Sequence, residues 1–144
     1  MSQLVITRWR YLIYFFFLWF ILPSCDKVND SPIPEASFTF TIDLIIENQL
    51  NNPNGSAFFP YAGFGGVIIY CEYPGIWYAY DASCTYEASR NCILKLDGAL
   101  AECPCCSSQF ILSAGGYPGK APATIPLKQY HVSLMNNNTL MIFN

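Results

Sequence analysis

The sequence has one histidine, His131, in 144 residues. No site in this chain can be built from a pair of imidazoles. Charge is scarce too: 12% of residues are charged, seven of them basic and ten acidic. Two of the basic residues, Arg8 and Arg10, precede a long apolar run. Downstream of that run the formal charge is (7 − 2) − 10 = −5. A mildly acidic body excludes nucleic acid as a partner and argues against electrostatic docking on anionic lipid. There is no Gly-rich phosphate loop, no serine nucleophile elbow and no paired-carboxylate motif. No independent catalytic site is therefore expected. After residue 25 no eleven-residue window repeats its apolar positions with a helical period, and there is no internal repeat.

The one long apolar run is 11–22 (YLIYFFFLWFIL), twelve residues behind Arg8 and Arg10. A spanning helix needs about 20 apolar residues, so this run suits the core of a secretory signal. It ends in Leu22-Pro23-Ser24-Cys25, which resembles the lipoprotein cleavage box of bacteria. On that resemblance, residues 1–24 form a signal peptide. Cys25 becomes the lipidated first residue of the mature chain, and the protein is held on a membrane of the bacterial cell envelope. Residues 25–36 (CDKVNDSPIPEA) read as a polar tether without an apolar period. The remaining 37–144 suffice for one domain.

That domain reads as all-β. Residues 37–47 (SFTFTIDLIIE) alternate early, with Phe38, Phe40 and Ile42 on one face, and are rich in aromatic and branched side chains, so they read as a strand. A loop follows over 48–55. Residues 66–71 (GVIIYC) form a buried strand, and Tyr73-Pro74-Gly75 turns it into a return strand over 76–80. Asp97-Gly98 marks a tight hairpin between 92–96 and 100–102. A short strand covers 109–113, a Gly/Pro loop covers 115–126, and a last hairpin joins 127–135 to 139–143. Short strands with a turn every eight to twelve residues make a small sandwich or barrel.

Seven cysteines are many for this length, and with Cys25 set aside, five of the other six lie between Cys84 and Cys106. Cys103-Pro104-Cys105-Cys106-Ser107-Ser108-Gln109-Phe110 stands nineteen residues after Cys84-Thr85-Tyr86. A disulfide framework does not require the tight spacing of Cys103 and Cys106, whereas a metal-binding turn does. The two segments resemble the Cys-x-His and Cys-Pro-Cys-His-Gly-Ser-x-Phe loops of Rieske iron–sulfur domains. Residues 119–127 (GKAPATIPL) with Tyr130 resemble the segment that folds over the cluster in that family. Tyr86 and Cys106 stand at the two histidine positions.

The resemblance implies a Rieske-like fold with a base from 37–80 and 121–143, and a cluster-type subdomain from 81 to about 118. It leaves three readings of the site. Cys84, Cys92, Cys103 and Cys106 hold a [2Fe–2S] cluster or Zn²⁺ as an all-thiolate set. Thiolate in place of imidazole would then lower the potential of a cluster towards the roughly −400 mV of all-cysteine ferredoxins. In the second reading, Tyr86 joins Cys84, Cys103 and Cys106 as a phenolate ligand. In the third, the metal is lost and disulfides remain, Cys105 taking the place of a disulfide cysteine in some members of the family, with Cys92 as its partner. Ser108 matches the serine that donates to a cluster sulfide in the family; otherwise it is a turn residue capping Cys106. Cys71 reads as a buried, inert thiol, His131 as a solvated strand residue, Glu87 as a loop carboxylate, and Tyr73 with residues 77–80 as sheet packing. The expected function is electron transfer to a redox protein partner by a membrane-anchored, non-catalytic iron–sulfur protein. The alternative is a structural or binding lipoprotein with Zn²⁺ or disulfides alone.

Overall fold

A computed structural model describes residues 31–144. The expected signal peptide, Cys25 and the first half of the expected tether (25–30) lie outside the described residues. Ten strands follow in chain order: β1 (Thr39–Asp43), β2 (Ser56–Phe59), β3 (Val67–Tyr73), β4 (Ile76–Asp81), β5 (Lys95–Asp97), β6 (Leu100–Glu102), β7 (Gln109–Ile111), β8 (Tyr117–Lys120), β9 (Gln129–Asn136) and β10 (Thr139–Phe143). Every pairing is antiparallel. Six strands form one sheet in the order β1-β10-β9-β4-β3-β2, and four form a second in the order β5-β6-β7-β8. Among the described residues the only helical pieces are two single 3-10 turns.

β3, between β4 and the edge strand β2, is covered on both faces because both are apolar. Val67 and Ile69 join one core with Ile42, Leu50, Phe59, Ala79, Leu140 and Ile142. Ile68 and Tyr70 point the other way, into a second core with Tyr80, Leu94, Phe110, Leu112 and Leu127. That second core also contains Cys84, Cys92 and Cys103. The small sheet is therefore packed onto the large one, and the cysteine loops emerge from the contact between them. The buried part of β3, Val67 to Cys71, is an unbroken hydrophobic run in sequence, as a strand covered on both sides must be.

Three details depart from the sequence reading. The strand expected over 37–47 stops at Asp43, whose Oδ1 accepts the N–H of Ile45 at 2.8 Å while its carbonyl accepts the N–H of Glu47 at 2.9 Å. An aspartate bonding its own following backbone bends the chain before the strand can continue. Ile45 and Ile46 are left exposed. Second, β2 and β8 lie in segments without strand patterning. Pro118 in β8 has no N–H to donate, which an edge strand tolerates. Third, the tether boundary moves: Ile33 is buried, and Glu35 pairs with Lys128 at 2.8 Å. Lys128 also donates to the Pro34 carbonyl, and Asn144 donates to Glu35. The end of the segment read as tether is thus part of the folded body.

β4 ends in Asp81, which is fully buried. Its carboxylate accepts the N–H groups of Phe64 (2.7 Å), Gly65 (3.2 Å) and Ser83 (2.8 Å), and the Tyr130 hydroxyl (2.7 Å). Gly63 reaches this turn with φ +73°, and a Cβ there would lie 2.9 Å from Asp81 Oδ2.

Asp81→Ala strands several of these donors without water, at about 1–3 kcal/mol each. We expect a loss of about 3 kcal/mol or more, read as a lower urea midpoint; an unchanged midpoint would remove Asp81 as the organiser of this corner. Stability should also fall as pH rises above the ordinary tyrosine value of 10.0. Burial holds the Tyr80 and Tyr130 phenols above that value in the folded chain, aided at Tyr130 by its bond to Asp81. The unfolded chain therefore ionises first, and the stabilisation is intact below about pH 10 and is lost above it. Urea curves at pH 8 and pH 11 check the sign.

Candidate metal centre

Two loops form the tip of the small subdomain, and they are built alike. In the first, the N–H of Ala88 bonds back to the Cys84 carbonyl at 2.8 Å. In the second, the N–H of Ser107 bonds back to the Cys103 carbonyl at 2.9 Å. Each loop thus closes four residues after its cysteine, and each closing residue is left-handed, with φ 45° at Ala88 and 60° at Ser107. Non-glycine residues enter this region only when neighbouring contacts hold them there. Here those contacts are the backbone bonds to Cys84 and Cys103, and a disulfide also ties the loops: Cys92 is bonded to Cys105, with Cα atoms 5.8 Å apart.

That bond corrects the four-cysteine set. Cys92 is committed to Cys105 and does not join the other thiols. Cys84, Cys103 and Cys106 do come together, with all three sulfurs within 4.8 Å of one another. Cys84 and Cys106 are 3.6 Å apart. Cys84 and Cys103 are fully buried, and Cys106 is partly exposed. Tyr86 is 58% exposed, turned largely to solvent. Cys71 is buried elsewhere, and burial raises its pKa. His131 is exposed and stacks on Phe143, with ring centroids 5.1 Å apart. Neither belongs to the thiol group.

The surroundings of the sulfurs set their charge. Burial pushes the Cys84 thiol up to about 12, although the backbone N–H groups of Tyr86 and Glu87 pull it back. For Cys106, burial also opposes ionisation, but the Ser108 hydroxyl, the Ser108 N–H and the two neighbouring thiols outweigh it, and its pKa falls below the ordinary value. Ser108 is fully buried; its Oγ lies 3.1 Å from Cys106 Sγ and accepts the Ala123 N–H at 2.9 Å. With one donor already accepted, the hydroxyl can turn its own proton to the sulfur. Cys106 thus ionises more readily than an ordinary thiol and Cys84 less readily. A bound cation deprotonates coordinating thiols outright.

The donor chemistry fits thiolate-held iron or zinc, for which cysteine sulfur is a preferred ligand. The cover over the tip comes from the chain after β8: Thr85 donates to the Ile125 carbonyl at 2.7 Å, and Ala123 holds Ser108. The role of Ser108 against Cys106 was legible in its sequence position; the anchor from Ala123 was not. A separate cleft of about 590 Å³ lies beside the N-terminal segment, lined among others by Glu35, Tyr117, Lys128 and Tyr130, with no cysteine in its wall.

Searches with the sequence find no match to a known family model and none to a curated protein. The structure does find neighbours. A carbazole 1,9a-dioxygenase complex of reduced oxygenase and oxidized ferredoxin matches with a TM-score of 0.50 and 19% identity, over 72% of this chain and 92% of that one. The domain has a Rieske-like fold. The ferredoxin of carbazole 1,9a-dioxygenase from Nocardioides aromaticivorans IC177 also matches, with a TM-score of 0.49 and 15% identity over 76% of this chain and 98% of that one. At such identities the likeness shows the fold alone.

Replacing both Cys92 and Cys105 by alanine releases a loop of the size whose closure is worth about 3 kcal/mol. We expect a loss of that order in urea, with no loss of bound metal per folded chain. Metal lost in parallel would return Cys92 to the ligand set.

Proposed function

We propose that the Rieske-like domain is a non-catalytic electron carrier whose iron is bound by the sulfurs of Cys84, Cys103 and Cys106. One observation carries this reading: three thiols converge within 4.8 Å at the tip of two twinned loops. The fold supports it, since one structural neighbour is a complex of an oxygenase with a ferredoxin. Iron held by cysteine sulfur supplies a one-electron couple. The chain supplies the rest. Burial of Cys84 and Cys103 keeps water from the inner side of the site, Ser108 hydrogen-bonds the outer sulfur, and the Cys92–Cys105 disulfide keeps the loops in register.

The chain-level reading follows from the sequence. Lipid on Cys25 would hold the domain on an envelope membrane, where it passes electrons to a redox protein partner. A [2Fe–2S] cluster of the family type calls for four protein donors. With Cys92 in a disulfide, Tyr86 is the remaining residue at a family ligand position. The compactness of the three sulfurs also suits a second reading, a zinc site with a structural role, because a tetrahedral ion needs its ligands this close.

Metal analysis and an absorption spectrum of the full chain, purified anaerobically in detergent, separate the two. Iron with a visible band that bleaches reversibly on one-electron reduction is the expected result. Zinc without a visible band selects the structural site, and a metal-free protein rejects both. Cys106→Ala and Cys103→Ala should each abolish binding. The potential of the iron form should be flat between about pH 6 and 9, since no imidazole ligates it; a slope across that range would point to an unassigned titrating ligand.

A further inference from the structure

We propose that Cys84, Cys103 and Cys106 bind a single metal ion and leave its fourth coordination position to a small ligand from solution. This rests on the metal–thiolate reading above and concerns how many ions the tip holds. Bonds of about 2.3 Å to a tetrahedral ion place any two of its sulfurs about 3.8 Å apart. Two ions joined by a pair of bridging sulfides behave differently. Built on the same bonds of about 2.3 Å, they place thiolates of different ions at least about 5 Å apart. Cys84 and Cys106 are 3.6 Å apart, and no sulfur of the three is more than 4.8 Å from another. The Cys84–Cys106 separation is that of two corners of one tetrahedron, and every separation among the three is below the about 5 Å of thiolates on different ions. Cys106 occupies a position that would serve the outer ion of a pair, yet its sulfur turns inward beside Cys84.

Among the described residues no further cysteine, histidine or carboxylate completes the set, and the Ser108 hydroxyl beside Cys106 is held by the Ala123 N–H. Cys92 and Cys105 are bonded to each other. No histidine, aspartate or glutamate joins the thiol group. Tyr86, on the loop beside it, is largely in solvent. The two inner sulfurs are wholly buried, so the site opens on the side of Cys106, which alone is partly exposed. Three protein ligands and one open corner are the arrangement of ligand-binding metal sites, as distinct from closed structural ones. Three thiolates leave a divalent ion with one net negative charge, so the open corner favours a neutral donor such as a nitrogen base over an anion. Burial of Cys84 and Cys103 limits that ligand to a small one.

The full chain, purified anaerobically and exchanged with Co²⁺, tests the proposal. We expect one Co²⁺ per chain, the visible bands of a tetrahedral thiolate site, and a shift of those bands on adding imidazole. The shift should persist in Tyr86→Phe, and Cys106→Ser should lose one thiolate contribution from the charge-transfer envelope. The iron form should contain no acid-labile sulfide. Two irons and two sulfides per chain would overturn the single ion while leaving the metal–thiolate reading intact. Absence of any metal would remove both. Bands that ignore imidazole, or that change in Tyr86→Phe, would show the fourth corner filled by the chain itself and overturn the open position.

Discussion

The buried carboxylate of Asp81 is the constraint on which this architecture turns. It closes β4, receives the backbone of the turn at 64–65, takes the Tyr130 hydroxyl from β9 and caps Ser83, one residue before the first thiol. A carboxylate removed from water is tolerated because four donors replace its hydration. These bonds reach across 17, 16 and 49 residues of chain. They fix where the large sheet ends and in which direction Cys84 leaves it. The position of the cysteine-bearing tip is thus set from the base sheet.

At the tip, two requirements oppose each other. The loops must keep thiols dry enough to form a defined site, yet thiolate charge is disfavoured where it is dry. The chain meets this unevenly. Cys84 lies deep and resists ionisation, while Cys106, nearer the surface, has Ser108 as a partner and ionises more readily. The disulfide ties the two loops at no charge cost.

Much of the base was legible because its signals are local. The unbroken run of β3, the Tyr73-Pro74-Gly75 turn and the Asp97-Gly98 hairpin each specify structure within a few residues. β2 and β8 were not legible, because their pairing depends on a neighbour strand more than on their own pattern. Residues 43–47 misled for a different reason: the apolar Leu44-Ile45-Ile46 follows directly while the side chain of Asp43 bends the backbone.

The sequence by itself determined that the chain is all-β, that paired cysteine loops crown it, and that no pair of histidines can serve them. Composition and close spacing suffice for such statements. Tertiary structure alone decided which thiols share a centre. Cys92 and Cys103 are both candidates along the chain, but only the packing of the small sheet on β3 and β4 brings Cys103 to Cys84 and sends Cys92 to Cys105. Coordination and disulfide formation depend on distances of a few ångströms between loops remote in sequence, and those distances exist only after the two cores have formed.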